Sequence, residues 1–297
     1  MDTKTSSASL PHCSKSHFVV ESTFIMKIYI HTIYYNFDTK KNISPHFIPL
    51  DNSNNNGNEW FEFLPILNYL QSNELEENAF YGFLSPKFSK KTGYQPSYVI
   101  DLITKYGNIA DIFLFSPGWD QISYFLNPWE QGEVWHPGLM NASQRFLDNY
   151  GLKLDLSILV TDSTNSVFSN FIVAKKGYWL NWLKIAKSFY CYAENSNNLI
   201  KNQKICYGSK ENQYPLKTFI QERFASLVML NHNYKILVPD QSLTSPIFTK
   251  IFPDDINTRR LLITCDILKK IYKKSLNPNV LETYWSTRNL IKFSLPN

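Results

Sequence analysis

Three clusters of side chains in this chain carry chemistry suited to a polar ligand. The first lies between Asp111 and Gly138, where Asp111, Asp120, Glu130, Glu133 and His136 share a stretch with Trp119, Trp129 and Trp135. Carboxylates and a histidine can move protons or hold hydroxyls, and an indole face stacks on a sugar ring or a base. The plainer alternative is a packed segment covering the core, with His136 placed where it could simply cap a helix. The second cluster runs from Ser169 to Trp179. There Asn170 could meet a ligand, while Lys175 and Lys176 could meet a phosphate or form a solvated pair at a turn. In the third, residues 215–230, Leu216, Phe219, Ile220, Leu227 and Leu230 share one face at 100° per residue. Arg223 falls near the middle of that face, with Glu222 flanking it. A buried guanidinium requires a partner, either a carboxylate or a bound phosphate.

The elements that must position these residues can be read from hydrophobic period and punctuation. A first strand spans residues 27–35, directly after Met26, which leaves 1–25 as an expected disordered extension. Residues 51–58 are an asparagine-rich loop unable to join a core. A helix is expected over 60–71, a strand over 79–84, a polar loop over 85–95 and a helix over 97–106. Residues 112–115 read as a buried strand feeding a Trp-, Pro- and Gly-rich loop, 116–135. Pro137 then opens a helix that Gly151 closes. Strands near 157–161 and 170–174, a helix over 177–194, a polar connection over 195–213, the helix over 215–230 and a strand over 235–238 follow. The rest is mainly helical, notably 258–274. Strands alternating with helices predict one α/β domain over 26–240 with a mixed, mostly parallel sheet, and a helical extension over 241–297 packed on it. Ligands bind beyond the carboxyl ends of such strands, which directs attention to the segments after Tyr35, Leu84, Phe115 and Ala174.

Composition narrows the function. The 30 basic residues exceed the 25 acidic ones by five, but no block of five or more Lys/Arg occurs. That spread argues against nucleic acid as a partner. Four cysteines without a Cys-x-x-Cys pair read as reduced thiols. Without a signal-peptide core or ~20 consecutive apolar residues, a cytoplasmic location is expected, and contact with the inner face of a membrane stays open. Dinucleotide, P-loop, nucleophile-elbow and zinc-protease signatures are missing from the sequence.

The opening strand, residues 81–93, 111–117 and 170–179, and Glu222-Arg223 followed by 235–240 together resemble glycosyltransferases of the GT-A fold. The likeness is greatest to bacterial types that build surface polysaccharides. The resemblance implies a nucleotide-sugar donor over the first strands and a glycan or lipid-linked acceptor on the C-terminal side. Asn170 and Glu222-Arg223 would then border the sugar and acceptor. It also implies Asp111 at the end of the central strand that delivers a Mn²⁺- or Mg²⁺-binding Asp-x-Asp, yet no Asp-x-Asp occurs in the chain. The diphosphate charge would then fall to Lys87, Lys90, Lys91 or Arg223. The expected enzyme is a hexosyltransferase-like glycosyltransferase of polysaccharide synthesis. Glu130, Glu133, His136 and Glu222 are its catalytic candidates, and Asp111, Asp120, Trp129, Asn170, Lys87, Lys91 and Arg223 its substrate contacts. Two other readings are a glycoside hydrolase using paired carboxylates and a carbohydrate-binding protein without catalysis.

Overall fold

The computed structural model of the protein describes residues 26–294 apart from 55–57, 196–198, 208, 231, 243–244, 246 and 248–249. The extension expected over 1–25 lies outside the described residues. Among them the elements run β1 (Lys27–Tyr34), α1 (Phe37–Lys41), β2 (Ile48–Asp51), α2 (Phe63–Ser72), β3 (Ala79–Leu84), α3 (Phe88–Thr92) and α4 (Pro96–Tyr106). Then come β4 (Ile112–Leu114), α5 (Trp119–Tyr124), α6 (Pro128–Trp135), α7 (Leu139–Tyr150), β5 (Ile172–Lys175) and α8 (Lys176–Glu194). The chain continues through β6 (Lys204–Tyr207), β7 (Ser209–Pro215), α9 (Leu216–Gln221), α10 (Phe224–Leu230), β8 (Ile236–Leu237), α11 (Ile256–Ser275) and α12 (Pro278–Asn289).

Six strands form one sheet in the order β2-β1-β3-β5-β4-β8. Neighbours are parallel except for β5, which runs antiparallel to both β3 and β4. The chain is therefore α/β with a mixed, mostly parallel sheet. β6 and β7 pair separately as an antiparallel hairpin.

Strand side chains alternate between faces, and the central strands are apolar on both. Tyr81, Phe83, Ile112, Leu114, Ile172 and Ala174 face a layer built from α2 and α7 to α10, with Phe63, Phe146, Trp182 and Phe224 among its buried rings. Phe80, Leu84, Phe113 and Val173 face the other way, under Phe88 of α3 and Val99 and Ile103 of α4. Helices on both faces are what a mostly parallel sheet requires. A third cluster joins Trp119 and Tyr124 of α5 to Leu262 and Cys265 of α11 and Tyr284 of α12, so the C-terminal helices pack on α5.

Several local expectations are corrected. The loop expected over 116–135 is the helical pair α5 and α6. The Asn127 side chain accepts from the Trp129 and Glu130 N–H groups at 2.9 Å and Pro128 occupies the first turn, a helix start hidden among Trp, Pro and Gly. α7 begins at Leu139, not Pro137, and His136 does not cap it. Both Glu133 oxygens do so, accepting from Gly138 N and Met140 N at 2.7 Å. Residues 85–95 contain α3, and the polar stretch 195–213 contains β6 and most of β7. No strand forms at 157–161, where Asn127 Nδ2 instead holds the Leu156 and Leu159 carbonyls at 2.9 and 2.7 Å. The helix expected over 215–230 breaks at Glu222-Arg223 into α9 and α10. The short elements α1 and β2 were not anticipated.

Candidate functional site

The parallel strands β1, β2, β3, β4 and β8 all end on one edge of the sheet, at Tyr34, Asp51, Leu84, Leu114 and Leu237. Because β5 is antiparallel, it enters from that edge at Asn170, and the segment after Ala174 lies at the opposite edge. Asp111 is also at the opposite edge, since it precedes β4. Its carboxylate accepts from Lys175 Nζ and from Lys235 N, both at 3.0 Å, which ties β5 and the start of β8 to β4. The placement of Asp111 at a strand's carboxyl end is thus corrected: the strand runs away from it. Lys176, beside Lys175, pairs with Glu77 at 2.6 Å.

Glu222 sits half-buried at the break between α9 and α10. Loss of solvent pushes its carboxyl up to about 7; Arg223 opposes the rise, Glu62 adds to it, and Lys91 opposes it again. Glu62 precedes α2 and follows Phe61, whose φ of 44° is a left-handed conformation rare for an aromatic residue. Asn52 Nδ2 holds that turn by donating to the Phe61 carbonyl at 3.2 Å. Tyr35, just past β1, hydrogen-bonds Glu62, and burial followed by the Glu62 charge raises its hydroxyl well above the usual tyrosine range. Lys91, exposed on α3, stands 5.8 Å from the Phe171 ring centroid at the entry to β5. Tyr35, Glu62, Lys91, Phe171 and Glu222 therefore converge near the carboxyl edge.

Three buried polar atoms near these residues in the chain or on the central strands lack hydrogen-bond partners: Gln221 Oε1, Ser169 Oγ and His31 Nδ1. Such groups are uncommon in native interiors. His31 lies on β1 with its ring stacked on Phe83, and burial lowers its pKa to about 4, so it is neutral near pH 7. Further along, Tyr94 and Tyr98 stack at 5.3 Å and 9°, and Tyr94 also meets Phe115 past the end of β4.

The other sequence candidates are dispersed. Lys87 is exposed before α3, and Asn170 is buried at the entry to β5. Asp120 is fully buried in the first turn of α5 and Trp129 is buried in the core, so its indole presents no open face to a sugar. Glu130 is engaged by Leu126 N at 2.5 Å and by Arg288 at 2.8 Å, and Glu133 caps α7. The His136 ring packs against Phe219, tilted by 30° with ring centroids 3.7 Å apart. Arg223, which the sequence places on a buried face, is buried there and spends its donors on carbonyl and amide oxygens. Its guanidinium donates to the Pro128 carbonyl at 2.9 Å, to Gln131 Oε1 at 3.0 Å and to the Phe219 carbonyl, locking α9 to α6.

The lock leaves no room beside Gly132. A Cβ added there would lie 2.8 Å from the Arg223 guanidinium carbon. Gly132→Ala is therefore expected to cost about 1–3 kcal/mol of stability by overpacking, read as a lower midpoint in urea denaturation.

The sequence did not single out Tyr35 or Glu62. The Glu59–Trp60–Phe61–Glu62 run after the polar tract was the available signal, a pair of acids flanking two aromatics at a helix entry.

A divalent cation on the carboxyl edge would require convergent oxygen donors. Ser85, Pro86 and Lys87 follow β3, and Ser116 and Pro117 follow β4. Asp51 already accepts from Tyr34 and from Ser53 N and Oγ, which hold its carboxyl near 2. Among the described residues no group of three or more His, Cys, Asp or Glu side chains is placed to hold a metal ion. Lys87 and Lys91 supply positive charge near the edge. Comparison with protein-family models, with curated proteins and with solved structures finds no match to this chain.

Proposed function

We propose that the protein is a glycosyltransferase that moves a sugar from a nucleotide-diphosphate donor to a hydroxyl of a glycan or lipid-linked acceptor. The observation that carries this reading is Glu222. It is a half-buried carboxyl near the carboxyl edge of the sheet, with its pKa pushed up to about 7 and Lys91 within electrostatic reach. A base poised near the working pH is suited to activating a hydroxyl. In the transfer, the acceptor hydroxyl gives its proton to a Glu222 oxygen as its own oxygen bonds the anomeric carbon. The bond from that carbon to the phosphate oxygen breaks, and its electron pair leaves on the nucleoside diphosphate. Lys91, with Lys87 nearby in sequence, offsets the charge that develops there. Burial keeps the Glu222 proton affinity high, and the negative charge of Glu62, oriented by Tyr35, adds to it. Such an enzyme belongs to polysaccharide synthesis on the cytoplasmic side of a membrane.

A glycoside hydrolase is the second reading, favoured by the proximity of Glu62 and Glu222. Two carboxyl groups in one site, one of them with a raised pKa, is the pattern that hydrolysis uses. Lysine beside them favours a phosphorylated substrate over a neutral glycoside. A thermal-shift screen separates the readings. UDP or GDP is expected to raise the melting temperature, since a ligand at 100 times its dissociation constant stabilises by about 2.7 kcal/mol. A shift with oligosaccharides and with neither nucleotide supports the hydrolase.

A further inference from the structure

Helix α11 has an outer stripe that does not suit solvent. At 100° per residue, Ile256, Arg260, Ile267, Ile271 and Lys274 fall within about 60° of one another, along roughly 27 Å of helix. All five side chains are exposed, the isoleucines at 59%, 48% and 45%. The opposite face holds Leu262, Cys265 and Lys269, which are buried against α5 and α12. An outward helix face ordinarily carries polar residues, yet three exposed isoleucines occupy it here. Leu276, 71% exposed, extends the apolar surface past the C-terminal end of the helix.

The exposed cations of this helix lie on the same stripe as its isoleucines. α11 carries six basic residues and one acidic residue, but Lys269 is buried and Arg259, Lys270 and Lys273 pair with Asp254, Asp266 and Asp162, which leaves Arg260 and Lys274 as its exposed cations. The acid, Asp266, turns inward and is engaged by Ser163 and Lys270, so no carboxylate lies on the outer stripe. Arg260 and Lys274 are exposed on it, near its two ends. Exposed isoleucines interleaved with cations on one helix face match an anionic bilayer surface. The apolar tips enter the acyl boundary while arginine and lysine stems reach the lipid phosphates. A second copy of the chain would have to bring an acidic, apolar face of its own.

We infer that the outer face of α11 is a docking surface for an anionic lipid bilayer, on which the protein lies peripherally. The inference is independent of the transferase reading, because it concerns only where the protein is held. Among the described residues no helix is long and apolar enough to cross a membrane, so this face would rest on the surface.

The test is co-sedimentation of the full chain with vesicles of phosphatidylcholine alone and of phosphatidylcholine with 30% phosphatidylglycerol, in 0.1 M salt. Binding is expected to the anionic vesicles only, with release at 0.5 M salt. Each cation near an anionic surface contributes about fivefold, so Arg260→Glu/Lys274→Glu should weaken partitioning at least 25-fold. Ile267→Ser/Ile271→Ser should weaken it at least tenfold, and because these residues are exposed the melting temperature should hold. Three results would overturn the inference: equal binding to both vesicle types, no binding to either, or variants that bind as the wild type does. Loss of a dimer in the isoleucine variant with vesicle binding unchanged would also overturn it and assign the face to a second copy.

Discussion

Glu222→Gln is expected to lower the turnover of sugar transfer by a factor of about 10² to 10⁴ while leaving the fold intact. The substitution keeps the side chain's shape and removes its capacity to take a proton. In the wild type, transfer should rise with pH as the carboxyl ionises through about 7, and in the variant that rise should vanish. The same group has a signed effect on stability. Its folded pKa lies above the ordinary 4.5, so its contribution is full below pH 4.5 and is lost as pH rises through about 7. The loss amounts to at most about 3 kcal/mol. Glu222→Gln should therefore melt higher than the wild type at pH 8 and close to it at pH 4.5. A residue that destabilises the protein where it is ionised and is needed for turnover marks a site shaped by function. Undiminished turnover in the variant would remove Glu222 from the mechanism.

The largest structural effect is expected at Lys269. Its side chain is fully buried on α11, and its ammonium donates to the Phe125 carbonyl at 2.7 Å and to the Ile122 carbonyl, closing the C-terminal end of α5. Burial lowers its pKa to about 8, with Asp266 and Asp162 opposing. Lys269→Met keeps most of the stem volume but leaves two buried carbonyls without a donor. The expected cost is about 2–4 kcal/mol at pH 7, read by urea denaturation. Because the folded pKa is depressed, the lysine's contribution is full above pH 10.5 and is lost as pH falls through about 8. The variant's deficit should accordingly be larger at pH 9.5 than at pH 7. An unchanged denaturation midpoint would show that these carbonyls find other donors.

Much of the fold was legible because burial leaves a period. β3 and β4 are unbroken apolar runs, and the α7 boundary at Gly151, with a φ of 81°, carries its usual residue. The direction of β5 was not legible. Ile172, Val173 and Ala174 are buried on both faces and read alike in either direction, so only their partners in β3 and β4 decide the register. The hairpin β6–β7 escaped because Lys, Asn and Gln mask its alternation.

The site was legible only in part. Glu222 could be placed beside an apolar helix face, and Arg223 on it, from spacing alone. The partners of Arg223 could not, since backbone carbonyls leave no signature in side-chain order. Glu130 and Glu133 have the residue types of a catalytic pair, but the structure engages both, one with Arg288 and one with the first turn of α7. Glu62 had no period to mark it. It joins Glu222 only because the chain turns through the strained Phe61 and returns α2 to the sheet.

The most direct measurement is release of nucleoside diphosphate from a panel of UDP- and GDP-sugars, with mixed glycan and lipid-linked acceptors, by the wild type and by Lys91→Ala. One donor is expected to be consumed only when acceptor is present. Lys91→Ala should slow that consumption at least tenfold, the loss of one cation at the departing diphosphate. If no donor is consumed while simple glycosides are cleaved, the chemistry is hydrolytic and the transferase reading is contradicted.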